Sequence, residues 1–294
     1  MPGRHGLTHP SDTTTPTHGE DITMSARNKQ VNKAAARERL RQERERQAKR
    51  DKARRQITVG VSVLAALALA GGIGYAVVQA NKPSHWEAAK AVKDVKAPRN
   101  TEGENGTTVV IGKPTAKKTL QVFEDARCPV CAMFEQQVGP VIEKDVEAGK
   151  YKVQFVGATF IDDVATGEGS RNALSALGAA LDVSPDAFMK FKSAMYSTKF
   201  HPEESADEFG KDSYLLKVAQ TVPALKDNAA FKKNVEEGTF DAWALKMSAA
   251  FDKSGVKGTP TLKMDGKPVT DANGKNAPMT AAEFTTAMEK ALKG

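Results

Sequence analysis

Two cysteines, Cys128 and Cys131, are the only ones in 294 residues, and they stand as Cys-Pro-Val-Cys. Three positions apart, two sulfurs meet across one turn of helix, the spacing of a dithiol that opens and closes. A structural staple is the weaker use of the pair. Closing so short a loop removes about 2 kcal/mol of chain entropy, against about 5 kcal/mol for a long loop. A structural zinc site needs four ligands, and the chain offers no further Cys and few His. Two inert core cysteines would leave the local pattern unexplained. Lys118–Phe123 reads as a strand, and from Pro129 the apolar residues Met133, Phe134, Val138, Val141 and Ile142 recur at helical spacing. Pro129 fits a first helical position. Cys128 therefore faces the free amides and positive end of a helix, which lowers a thiol pKa below its usual value of about 8.5. Cys131, one turn on, is expected to be more buried and less ionised. No metal and no cofactor is expected.

Ahead of this segment lies a second constraint. Ile57–Ala80 is a run of 24 residues without a charge. As a helix it would span roughly 36 Å, more than the roughly 30 Å of a hydrocarbon core. Residues 27–55 before it hold 13 basic and 4 acidic side chains. The positive-inside rule then keeps the N-terminus in the cytoplasm and puts everything after Asn81 outside. Val78-Gln79-Ala80 loosely resembles a cleavage site, but the run exceeds the 7–15 residues of a typical signal core, so an uncleaved anchor is the reading. Disulfides persist in that compartment.

The formal charge of +7 belongs to the same tail. Residues 1–55 carry 14 Lys/Arg and 7 Asp/Glu, and the remainder carries 29 of each. The part beyond the anchor has no electrostatic footprint for a polyanion, so nucleic acid is excluded as its partner. The organisation follows: a disordered tail over 1–26, a basic cytoplasmic helix over 27–55 suited to anionic lipid head groups, a transmembrane helix over 57–80, a polar linker over 81–106, and a folded domain over 107–294. Within that domain Thr107–Ile111 and Tyr151–Ile161 read as further strands. Ser184-Pro185-Asp186 is a helix start. Helices are expected at Tyr214–Val222, Ala229–Val235 and Phe240–Phe251. Thr261–Met264, the Asp265-Gly266 turn and Val269 read as a hairpin, and Thr280 opens a last helix. The order is an α/β pattern with a helical insertion over about 165–250.

The run FEDARCPVCAMF, Phe123–Phe134, resembles the active-site segment of the disulfide-bond-forming, DsbA-like branch of the thioredoxin fold. GVKGTPTL at 255–262 is similar to that family's cis-proline loop. The resemblance implies a thioredoxin-like fold with an inserted helical subdomain, here preceded by one transmembrane helix. It implies a cis Pro260 against Cys128, with Thr259 offering backbone groups to an extended substrate. Cys128 would exchange disulfides and Cys131 resolve them, acting on thiols of secreted proteins. A quinone-linked membrane oxidase would be the redox partner. Asp125 and Glu124 lie under or beside the site, as buried proton carriers or as exposed strand-end acids. Val130 departs from the enteric prototype, which has His there, so a less depressed pKa and a less oxidising couple are expected. A reductase or isomerase on the same scaffold, and a non-redox binding or chaperone module, are the competing functions.

Overall fold

In the computed structural model of the chain, the described residues are 85–293 and, within 33–52, the helical residues 33, 37–41, 43–47, 49–50 and 52. The chain divides into two units, Met1–Lys82 and Pro83–Gly294. In the first, Arg41 and Glu45 pair at 3.5 Å one helical turn apart. The tail at 1–26 and the apolar run Ile57–Ala80 lie outside the described residues. Among the described residues, no helix is long and apolar enough to cross a membrane.

The second unit is built on five strands: β1 (Val109–Ile111), β2 (Thr119–Asp125), β3 (Lys152–Ala158), β4 (Thr261–Met264) and β5 (Lys267–Pro268), in the spatial order β1-β3-β2-β4-β5. The two central strands, β2 and β3, run parallel, joined by α2 (Pro129–Ala148) in a β-α-β crossover. β4 lies antiparallel on the other side of β2. The hairpin turn at Asp265-Gly266 has positive φ at both residues, 48° and 84°, as a tight two-residue connection requires.

The alternation of β2 sends Leu120, Val122 and Glu124 to one face and Phe123 and Asp125 to the other. On the first face Phe188 of α5 (Pro185–Tyr196) meets Phe155 of β3, ring centroids 5.2 Å apart. Phe134 of α2 meets Phe284 of α9 (Ala281–Lys293) at 6.4 Å. Burying a side chain such as Phe134 contributes about 1.5–3 kcal/mol. Phe251 of α8 (Asp241–Lys253) packs on Phe123 across the second face. Between β3 and β4 run α3 (Ile161–Val164), α4 (Gly169–Val183), α5, α6 (Asp212–Ala219), α7 (Ala229–Glu236) and α8. Helices thus fill residues 161–253, wider than the 165–250 expected. Ser184 caps α5 by accepting from the Ala187 amide at 3.0 Å.

One expectation is corrected. The stretch 81–106 does not end as a polar linker at a domain boundary near 107; from residue 85 it is a strap packed on the folded unit. His85–Ala91 forms a helix, α1, that packs on α8 and buries Trp86 and Ala89. Asn100 donates to Leu181 O at 2.9 Å, Arg99 pairs with Asp182, and the Trp243 indole donates to Gly106 O at 2.8 Å. A few apolar side chains in a polar context anchor the strap, so its composition reads as linker.

Candidate active site

The parallel register carries β2 to Asp125, opposite Ala158, and the chain turns there into α2. Cys128 is the N-cap of α2, in extended backbone at φ −71° and ψ 115°, and Pro129 follows at the first helical position. β4 begins with Thr261 paired to Phe123, which sets residues 259 and 260 beside the exit of β2. The Thr259-Pro260 bond is cis, and Cys128 Sγ lies 3.6 Å from Thr259 O. Strand register and helix start together bring two segments 130 residues apart to one sulfur.

Both cysteines are free thiols, 7% and 0% exposed for Cys128 and Cys131 respectively. The Cys128 pKa is lowered from 9.0 to about 6. A hydrogen bond from the Cys131 side chain contributes most, followed by the Cys131 amide, Thr259 and the Val130 amide, against the cost of burial. Burial pushes the Cys131 thiol well above its usual value, aided by the bond it gives Cys128 and by the charges of Cys128 and Glu124. The Thr259 hydroxyl is buried without a hydrogen-bond partner, and its nearness favours the thiolate at both sulfurs. Cys128, Cys131, Ala132, Ile161 and Tyr196 form a small apolar cluster of their own.

Glu124 and Asp125 are both buried, not exposed strand-end acids. They face opposite sides of the sheet and do different things. Glu124 looks into a buried charge cluster. Lys192 of α5 lies 3.3 Å from Glu124 and 2.5 Å from Glu135 of α2. Gly139 makes the room: a Cβ there would sit 2.7 Å from the Glu135 carboxyl carbon. Burial raises the Glu124 pKa to about 7, with Glu135 adding to the rise and Lys192 opposing it. Burial works against the charge of Lys192, but Glu124 and Glu135 outweigh it and raise its pKa. Asp125 instead braces the loop. It accepts from the Arg127 amide at 3.0 Å, the Ile161 amide at 3.2 Å and the Ser170 hydroxyl at 2.5 Å. Burial still raises its pKa to about 6. Val130 is exposed beside the cysteines. Among the described residues, no group of His, Cys, Asp and Glu is placed to hold a metal ion.

The thioredoxin family model matches residues 104–290. The chain belongs to the thioredoxin family. Disulfide bond formation protein D of Bacillus subtilis (strain 168) is 28% identical over 186 residues, covering 63% of this chain and 77% of that protein. The crystal structure of oxidised BdbD from Bacillus subtilis superposes with a TM-score of 0.52 at 25% identity, covering 69% of this chain and 100% of that one. MdbA, a thiol-disulfide oxidoreductase from Actinomyces oris, has the same fold at a TM-score of 0.52 and 20% identity, over 70% of this chain and 94% of that one. Within the family the chain is a thiol–disulfide oxidoreductase of the DsbA-like branch, the branch that Phe123–Phe134 resembles.

Sequence reasoning missed Lys192 and Glu135. The signal was present: Lys192 falls on the inward face of α5 among Phe188, Phe191 and Met195, and Glu135 stands one turn after Cys131. A lysine on an apolar face needs a buried acid. Tyr196, His201 and Arg127 were also missed, and no spacing in the sequence connects them.

Proposed function

We propose that the chain is a membrane-tethered, extracytoplasmic oxidase of secreted proteins working through Cys128-Pro129-Val130-Cys131. The observation that carries the reading is the contrast within one helical turn, an N-capping Cys128 with its pKa at about 6 and a fully buried Cys131 raised well above the usual value. In the oxidised form a substrate thiolate attacks Cys128 Sγ. The Cys128–Cys131 bond breaks, a mixed disulfide forms, and the Cys131 thiolate takes a proton. A second substrate thiolate then attacks the substrate sulfur of the mixed disulfide and expels the Cys128 thiolate. The substrate leaves with a disulfide and the protein holds a dithiol. A quinone-linked membrane oxidase takes that electron pair and restores the Cys128–Cys131 bond. A low leaving-group pKa at Cys128 favours the expulsion step.

Exposed apolar side chains around the site support unfolded polypeptide as substrate. Val130 and Met133 project from the opening turns of α2, and Val164 from α3, whose Ile161 packs on the cysteines. Thr259 beside the cis bond gives an extended chain a backbone partner. The Ile57–Ala80 run is the tether, with the basic residues 27–55 on the cytoplasmic leaflet.

The reduction potential of Cys128–Cys131 against glutathione tests the direction. General values run from about −270 mV for thioredoxin to about −120 mV for DsbA. A thiol at about 6 lies between the thiol pKa values of about 7 and about 3.5 of those two proteins. A potential between the two limits and above that of the ordinary structural disulfide is expected. A value at or below about −270 mV would overturn the oxidase and favour a reductase.

A further inference from the structure

Of the three residues ahead of Cys128, Asp125 ends β2, and Ala126 and Arg127 lie between β2 and α2, so the sheet and the helix do not satisfy all of their backbone groups. The Cys128 amide donates to Asp125 O at 3.0 Å and the Arg127 amide to Asp125 Oδ1, and one stretch of the helical insertion supplies further partners. The Tyr196 hydroxyl donates to Asp125 O at 3.1 Å. His201 Nε2 lies 3.1 Å from Ala126 O, and facing a carbonyl it must be the protonated nitrogen. The Arg127 side chain, 1% exposed, forks outward from the loop: Nη1 to Asp162 at 3.0 Å and Asp207 at 3.3 Å, Nη2 to Glu204 O at 2.7 Å. Asp207 is fixed in turn by the amides of Glu168 and Gly169. The Tyr196 and His201 rings stack with centroids 5.8 Å apart. Gly167, at φ 149°, leaves the passage open, since a Cβ there would lie 2.6 Å from Arg127 Nη1.

A cation next to a cysteine ordinarily acts through its charge. Here that charge is spent on two carboxylates on the far side of the loop. The groups that favour the Cys128 thiolate are foremost the Cys131 side chain and the amides of Cys131 and Val130, and hydrogen bonds weaken steeply with misalignment. They need the Cys128 backbone held still.

We propose that residues 196–207 of the insertion clamp the catalytic loop, and that Arg127 is the positioning residue through which the clamp holds Cys128, by the geometry of its fork and not by its charge. This rests on the reading of Cys128 as the exchanging sulfur. The test is the pH profile of Cys128 alkylation by iodoacetamide in the reduced full-length chain, for the parent, Arg127→Lys, Arg127→Met and Tyr196→Phe. Lys keeps the charge and lacks the fork. Both Arg127 variants should move the inflection upward and slow alkylation at pH 6 by about threefold or more, because less thiolate is present. Tyr196→Phe should shift it in the same direction by less. A parent-like profile for Arg127→Lys beside a shifted Arg127→Met would overturn the proposal in favour of charge. Unmoved inflections with lowered melting temperatures would leave Arg127 a scaffold residue only. Should the Arg127 variants fail to fold, Tyr196→Phe, which loses one oxygen and no charge, decides alone: an unmoved profile sinks the clamp. An ordinary thiol profile in the parent would instead sink the reading of Cys128, a separate outcome.

Discussion

The surroundings of the two sulfurs differ more than their separation suggests. Cys128 sits at a helix mouth, in contact with amides, a carbonyl and a rim of exposed apolar side chains. Cys131, one turn along, faces a sealed interior where Glu124, Lys192 and Glu135 crowd together. The same thiol is acidified in the first setting and suppressed in the second. The lesson is that a helix start supplies polarity in one direction only. Donors point out of its mouth, and one turn inside they are already used by the helix. The division of labour between two identical groups is therefore written into the fold and needs no further catalyst.

Exchanging the sulfurs for hydroxyls should break the comparison most sharply. Cys131→Ser should still form a mixed disulfide with oxidised glutathione, read by mass spectrometry. Cys128→Ser should form one about 100-fold more slowly near pH 7, because a thiol with a raised pKa is barely ionised there. Equal rates would erase the distinction. The next largest effect concerns the sealed side. Lys192→Met leaves two buried carboxylates unpaired and should cost about 3–5 kcal/mol in urea unfolding at pH 7.5. The sign of its pH dependence follows from Glu124, whose pKa is raised from 4.5 to about 7. A raised folded pKa gives stability that is present below the unfolded value and lost as pH rises through the folded one. The deficit should therefore shrink on acidification from about pH 7 towards 4.5; a deficit that grows would contradict the cluster. The smallest effect sharpens the comparison. Glu124→Gln removes a negative charge that repels the Cys128 thiolate, the charge the reduced form carries. The reduced form gains, so the potential should become more oxidising by about 20 mV, equivalent to about 1 kcal/mol.

What could be read from the residues were features carried by local chemistry. Cys-Pro at a strand-to-helix junction, Thr-Pro ahead of a strand, Ser-Pro-Asp at a helix start and Asp-Gly in a hairpin each act within a few residues, and each stands where it was expected. What could not be read was made by distance. Lys192 meets Glu124 across 68 positions only because α5 lies on the face to which β2 sends Glu124. Arg127 adjoins Cys128 in the chain, yet its guanidinium is taken up by Asp162, Asp207 and Glu204 O, residues 35 to 80 positions away. The strap at 85–106 was hidden differently, by a composition whose polar majority outvotes the one indole that anchors it.

That indole has a practical consequence for spectroscopy. The chain holds two tryptophans, and both are buried under the strap: Trp86 within it, beneath the guanidinium of Arg171 at 5.5 Å, and Trp243 bonded to Gly106. The aromatic side chains packed on the cysteines are Tyr196 and Phe160. Emission excited at the indole band is thus a gauge of whether the strap is seated, and a change of dithiol to disulfide should leave it nearly unaltered.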